Sequence, residues 1–254
     1  MSTPARIAIF SDLHLTMSPS ERNRVFLELL RSFGGPSTST LAPTSELWLL
    51  GDIFDLLIGS YSFWAETHRE IFGELSRLAT EGTRVLWIEG NHDFHFGAGI
   101  GDERLDVSVG PVVRKVAGKR VFLSHGDLVN IEDRAYLRWR SFVRSGIFRF
   151  VMHSLPGSLA ERFLVPLGER LSHESRLRDR YDPALREMYL DYARSRWSEG
   201  FDGVCMGHCH LAERAVEGTK FYFNMGSWVG GSFHYGSWDP ESEAAPALVP
   251  ARPS

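Results

Sequence analysis

Five short apolar runs in this chain each end in a polar cluster able to bind a metal ion or carry a proton. They are "RIAIF" before "SDLHL", "ELWLL" before "GDIFD", "RVLWIE" before "GNHDF", "KRVFLS" before "HGDLV", and "DGVCM" before "GHCH". Runs of this length, rich in β-branched and aromatic residues, read as strands. Open α/β sheets place their sites at the carboxyl ends of strands. The pattern therefore predicts strands that deliver Asp12, His14, Asp52, Asn91, His125, His208 and His210 to one crevice where something positive sits.

Helix-like stretches separate several of these strands. "PSERNRVFLELLRSF" opens on a capping residue and repeats Val25, Phe26, Leu29 and Leu30 on one face. "SFWAETHREIFGELSRLATEG" does the same with Trp64, Ile71, Leu75 and Leu78. Alternating strands and helices argue for a layered α/β domain. "PVVRKVAGKRVFLSH" and "AERAVEGTKFYFNMGSWV" read as hairpins turning at "AGK" and "EGT", so the sheets are of mixed direction. The expected fold is α/β, a mixed β-sheet sandwich flanked by helices with an inserted helical cap. Residues 1–127 and 201–238 form the core, and 128–200, strand-free and rich in arginine and apolar side chains, form the cap. The tail at 239–254, rich in Pro, Ala and acid, is expected to lack order.

At 254 residues the chain has room for one large core. A net charge of -4 argues against a nucleic-acid partner, and against a nuclease, which would track phosphates with a basic groove. Two cysteines, Cys205 and Cys209, make no disulfide framework and favour a reducing compartment. The start "MSTPARIAIFSDLHL" has no long apolar stretch, and no run nears the ~18 apolar residues that a membrane span requires. The expectation is a cytoplasmic protein, with peripheral association at the cytoplasmic face of the inner membrane left open.

Asp12 and His14 are two residues apart, so an extended chain points both to one side, and His208 and His210 repeat the device. Glycines 51, 90, 126 and 207 suit close-approach turns. Seven nitrogen and oxygen ligands without a thiolate exceed one four-coordinate zinc, but suit two divalent ions such as Mn, Fe or Zn. A bridging carboxylate would hold such ions ~3.5–4 Å apart.

In order, "DLH", "GDIFD", "GNHD", "SHGD" and "GHCH" resemble the signature of the calcineurin-like metallophosphoesterase superfamily, over roughly positions 7 to 229. The resemblance implies one ion on Asp12, His14, Asp52 and His210 and another on Asp52, Asn91, His125 and His208, with Asp52 shared. It also implies that His92 protonates the leaving oxygen or stabilises the phosphoryl group. The finer resemblance is to UDP-2,3-diacylglucosamine hydrolases of lipid A biosynthesis. "FSDLHL", "GNHDF", Tyr136 in "RAYLRWRSFVR", the proline-broken "FRFVMHSLPGSLAERF" and "GSW" at 226–228 carry it. It implies Mn-dependent release of UMP and 2,3-diacylglucosamine 1-phosphate from a UDP-linked lipid, with Tyr136, Ser175 and Arg176 touching substrate. Two departures stand out: His92 where many members carry Arg, and Ser172 and Glu174 where an arginine and an asparagine are expected. The alternatives are a metallophosphoesterase for another lipid or small-molecule phosphodiester, and a non-catalytic scaffold of the same fold.

A lone histidine is more often structural than a ligand, and His68, His95, His153, His173 and His234 are read as structural. Asp55, Asp93 and Asp127 are placed to orient ligands, and Cys209 to pack away from the site.

Overall fold

The computed structural model describes residues 6–34, 44–59, 61–96, 102–178, 182–242 and 244–251, without the side chains of 168, 169 and 171–178. In chain order, the first half runs β1 (Arg6–Phe10), α1 (Glu21–Ser32), β2 (Thr44–Leu49), β3 (Leu57–Ile58), α2 (Ser62–Thr67), α3 (Arg69–Thr80), β4 (Arg84–Ile88) and β5 (Asp93–Phe94). Then come β6 (Asp106–Ser108), β7 (Val112–Val116), β8 (Lys119–Leu123), α4 (Arg134–Val143), α5 (Gly146–Ser154), α6 (Gly157–Arg178) and α7 (Pro183–Ser198). The chain finishes with β9 (Gly203–Cys205), β10 (Ala212–Glu217), β11 (Lys220–Met225), β12 (His234–Trp238) and β13 (Ala247–Pro250).

Two mixed sheets pack face to face, in the orders β13-β12-β1-β2-β4-β6 and β10-β11-β9-β8-β7. Their strands read as continuous apolar runs because both faces are buried. In β8, Val121 and Leu123 enter the inter-sheet core while Phe122 joins the cluster on the other face. In β11, Phe221, Phe223 and Met225 point inward and Tyr222 outward. Phe221 meets Trp238 of the opposite sheet at 5.3 Å between ring centroids. Helices α1 and α3 pack their apolar faces against the first sheet, through Val25, Phe26, Ile71, Leu75 and Leu78. The Ser20 side chain accepts from Asn23 N–H and caps α1, as its place in the sequence suggests.

The expected sandwich and both hairpins are present. Three boundaries differ. The helix expected from Ser62 onward breaks at His68, which is buried with its ring 4.4 Å from that of Phe54. The tail is not featureless, because 247–250 form β13, antiparallel to β12, and Trp238 Nε1–H donates to Ala244 O. An exposed edge on β12 is the reason: its unpaired backbone groups gain partners from the tail whatever its composition. The span 128–200 is also not all cap. Helix α7 packs Tyr189, Leu190, Ala193 and Trp197 on the outer face of the second sheet, against Phe122, Val204, Met206 and Tyr222.

Helices α4 to α6 therefore form the inserted part, and buried ion pairs tie it to the core. Arg144 donates to Glu89 Oε2 at 2.7 Å and to Gly90 O at 2.8 Å, and Arg140 Nε pairs with Asp127. The two regions should respond differently to truncation. Trp197→Ala, in α7, is expected to cost ~3–5 kcal/mol in urea unfolding. Phe163→Ala, in α6 and 66% exposed, should cost under ~0.5 kcal/mol. Similar losses at the two positions would contradict this division.

Candidate metal centre

Strands β1, β2 and β4 are parallel neighbours in one sheet, and β8 and β9 in the other. Their carboxyl ends consequently open at one edge of the sandwich. There the chain brings together all seven of the expected ligands.

The geometry on the β8 side is diagnostic. His125 Nδ1–H donates to Leu50 O at 2.9 Å, which directs Nε2 into the centre. Nε2 faces Asn91 Oδ1 at 2.9 Å, His208 Nδ1 at 3.1 Å and Asp52 Oδ2 at 3.4 Å. Nitrogen and oxygen ligand atoms gathered this closely around a buried carboxylate need a positive charge among them, and a divalent cation would supply it. On the β1 side, His14 Nδ1 lies 3.2 Å from Asp55 Oδ1, which turns its Nε2 toward His210 Nε2 at 3.2 Å. His210 Nε2 is in turn 3.5 Å from Asp12 Oδ1. Asp12, His14 and His210 have ligand atoms within 4.8 Å of one another, as do Asp52, His125 and His208. A third such group joins His14, Asp52 and His92, so Asp52 lies between the other two groups, and the donor set fits two divalent ions.

The backbone carries the cost of this convergence. Among the described residues, seven non-glycines have left-handed φ, and five are Asp12, His14, Asp52, His208 and His210, at 51°, 49°, 53°, 69° and 59°. Each such residue costs about 1 kcal/mol or more, and strain of that kind concentrates where function requires it. The glycines make the approach sterically feasible. A Cβ on Gly90 would lie 2.1 Å from Asp52 Oδ1, and one on Gly207 would lie 2.4 Å from Asp12 Oδ2.

Supporting residues hold these loops. Asp93 Oδ1 accepts from the N–H groups of Asp52 and Gly90, each at 2.9 Å, and Oδ2 accepts from Ile53 N–H at 2.7 Å. One carboxylate therefore clamps the β2 and β4 loops together. His208 N–H donates to both oxygens of Asp12, and Ser227 Oγ–H donates to Asp12 O. Asp55 orients His14, as expected, whereas Asp127 accepts from Tyr136 OH at 2.9 Å and from Arg140, tethering α4. The Tyr136 ring is 6.0 Å from that of His208, at the margin of the centre. The side chains of Ser172, Glu174, Ser175 and Arg176 lie outside the described residues. Asn224, which the sequence does not flag, donates to Gly207 O and accepts from Gly226 N–H, fixing the "GHCH" turn. Cys209 is buried against Asn224 and Tyr189, away from the cluster.

His92 sits beside the two groups. Its N–H donates to Asp52 Oδ1 at 2.9 Å and its Nδ1–H to Asp55 O at 2.8 Å. Nε2 is left 4.0 Å from Asp52 Oδ2 on a side chain 20% exposed, so it faces the open crevice.

Charge in the centre answers to Asp52. Burial pulls the His125 pKa down, but the Asp52 carboxylate overrides it and raises the value to about 10. Burial and the neighbouring His125 push His208 down to about 4, which leaves a neutral lone pair. In metal-free protein a proton on His125 does the work of a cation.

A family model for calcineurin-like phosphoesterase matches residues 5–211. A protein named UDP-2,3-diacylglucosamine hydrolase from Pseudomonas syringae pv. tomato is 32% identical over 176 residues, 68% of this chain and 66% of that protein. One of the same name from Pseudomonas paraeruginosa is 32% identical over 219 residues, 83% of this chain and 85% of its own length. The solved structure of an archaeal phosphodiesterase superposes with a TM-score of 0.45 at 12% identity, over 96% of this chain and 99% of that one.

The folded pKa of His125 lies above its ordinary 6.5, so its stabilisation is complete below pH 6.5 and is lost as pH climbs through about 10. Chelated protein should show a urea midpoint that falls between pH 6.5 and 10, and added Mn should flatten the fall. A profile in chelator that is level across this window, or that Mn leaves unchanged, would contradict the assignment.

Proposed function

We propose, from the premise that this chain belongs to the calcineurin-like phosphoesterase family, that it hydrolyses a phosphodiester or pyrophosphate bond with two divalent ions, and that its substrate is UDP-2,3-diacylglucosamine. The observation that supports the reaction class is the gathering of Asp52, Asn91, His125 and His208 ligand atoms around one point, beside the Asp12, His14 and His210 group. Asp12, His14, Asp52 and His210 would hold one ion, and Asp52, Asn91, His125 and His208 the other. Ions held there would neutralise the charge of a phosphoester, polarise its phosphorus and acidify a water molecule.

The chain's own residues supply the remainder. His92 is fixed by two hydrogen bonds and presents Nε2 to the crevice, where, protonated, it donates to the departing oxygen. Asp55 keeps the His14 lone pair directed inward, and Asp93 holds the ligand loops in register. Cleavage at the pyrophosphate would release UMP and 2,3-diacylglucosamine 1-phosphate.

Support for an acylated substrate comes from the relatives' name and from the inserted helices. Phe142 of α4 and Phe163 and Leu167 of α6 leave apolar side chains exposed on these helices. Acyl chains would cover such surface favourably. A second reading, hydrolysis of another lipid phosphodiester, is favoured by one feature, the histidine at position 92 where many of the resembled hydrolases carry arginine.

Asp52→Ala should lower turnover by at least about a hundredfold, because both ions lose a ligand. His92→Ala should lower kcat by about 10²–10⁴-fold on a pyrophosphate. It should lower kcat far less on a bis(p-nitrophenyl) ester, whose leaving group needs no proton. Steady-state kinetics on the two substrates decides it, and equal losses would remove the general-acid role. UDP-diacylglucosamine should outperform its deacylated form, and equal rates on the two would exclude an acyl site.

A further inference from the structure

The loop that carries Asn91 and His92 is held from outside its own sheet. Arg144 caps the carboxyl end of α4, and its guanidinium reaches the two residues that precede Asn91. Nη1–H donates to Glu89 Oε2 at 2.7 Å and Nη2–H to Gly90 O at 2.8 Å. The other Glu89 oxygen accepts from Phe96 N–H at 3.0 Å, so this carboxylate also closes the loop on itself. One residue before Arg144, Val143 O accepts from His95 Nε2–H at 2.7 Å. The guanidinium lies 5.7 Å from the centre of the Phe94 ring. Every one of these contacts joins α4 to the segment 89–96.

Two features give the clasp a purpose other than packing. Its ion pair is buried, with 9% of the Arg144 side chain and 3% of the Glu89 side chain exposed. A buried ion pair is a poor source of stability, because desolvating both charges offsets most of their attraction, and apolar side chains of similar size often serve as well. What it supplies is direction, since a guanidinium is a planar fork whose donors keep a fixed angle. The second feature is strain. His95 has left-handed backbone, φ 60°. Among the described residues five of the other six such non-glycines are candidate ligands, and the sixth, Ala117, lies in a hairpin turn. His95 is not a ligand, and its conformation accompanies the bond from its ring to Val143 O.

Helix α4 grips a second ligand loop as well. Tyr136 O–H donates to Asp127 Oδ2 at 2.9 Å and Arg140 Nε–H to the same oxygen, two residues past His125. The helix thus spans two loops, with Asp127 held by its first two turns and Gly90 by its end. The ligands on those loops, Asn91 and His125, stand 2.9 Å apart between Oδ1 and Nε2. Gly90 C=O shares a planar peptide unit with Asn91 N–H, so a fixed carbonyl fixes the plane from which Asn91 departs.

We propose that α4 is a strut between the two loops and that Arg144 is a positioning residue for the metal centre. Acting through Gly90 O and Glu89, it sets Asn91 against His125 and, one residue on, aims His92 at the crevice. The proposal rests on Asn91 being a ligand and His92 an acid.

The test uses the full chain and the variants E89Q/R144M and Arg144→Lys. The double variant removes both charges, so no lone ion is left buried, and it keeps an acceptor for Phe96 N–H. Its melting in chelator should stay close to wild type. Calorimetric titration with Mn, in the absence of substrate, should show one of two equivalents bound at least about tenfold more weakly. On bis(p-nitrophenyl) phosphate its kcat should fall about 10–100-fold with KM little changed. Arg144→Lys keeps a donor without the fork and should lie between the two. A double variant that binds both Mn equivalents and turns over like wild type would overturn the proposal. So would one that melts far lower and loses both equivalents alike, with Arg144→Lys no better, because Arg144 would then hold the fold and not the loop. Wild-type protein that takes up no Mn would strike the metal centre itself, and the proposal with it.

Discussion

The arrangement depends on the buried charge of Asp52. His125 Nε2 gathers Asn91 Oδ1, His208 Nδ1 and Asp52 Oδ2 within 2.9–3.4 Å, and the bond from its Nδ1–H to Leu50 O keeps the ring from turning away. A buried carboxylate needs a compensating positive charge, which a proton on His125 or a bound cation supplies. Much else follows from that requirement. Left-handed ligand residues, glycines with no room for a Cβ, and the Asp93 clamp are all means of holding acceptors closer than they would otherwise stay.

The sandwich supplies the rigidity that makes this feasible. Its sheets are buried on both faces, with α1 and α3 covering one and α7 the other, so the strand ends cannot drift apart. Ligands arrive from both sheets, and the centre therefore sits at the seam rather than on either sheet. The inserted helices are joined differently. They pack loosely, expose much of their apolar surface, and are held near the centre by Arg140 and Arg144 reaching Asp127 and Glu89.

A good deal was legible from the residues. Strand positions, both hairpins and the capped first helix follow from local periodicity and turn chemistry, which act over a few residues. The seven polar residues could be picked out because each interrupts an apolar run at the point where a strand should leave the core. Less legible were features with no local signature. Nothing in "DPALREMYLDYARSRWSEG" distinguishes a cap helix from α7, because an amphipathic helix does not specify which surface it will cover. The same holds for the tail, whose composition suggests disorder while its backbone completes the edge of β12. Asn224 lies within a buried strand and betrays nothing until Gly207 O is seen beside it.

What the amino-acid order determined by itself was the inventory: which side chains could ligate and on which strand ends they would sit. What only the tertiary structure decided was how they pair. The grouping of ligand atoms on either side of Asp52, the orientation of His125 by Leu50 O and the open Nε2 of His92 all arise from contacts between residues tens to hundreds of positions apart. Local preferences set by φ, ψ and hydrophobic period cannot encode those contacts. They exist only once two sheets have closed on a shared core and excluded the water that would otherwise have separated the charges.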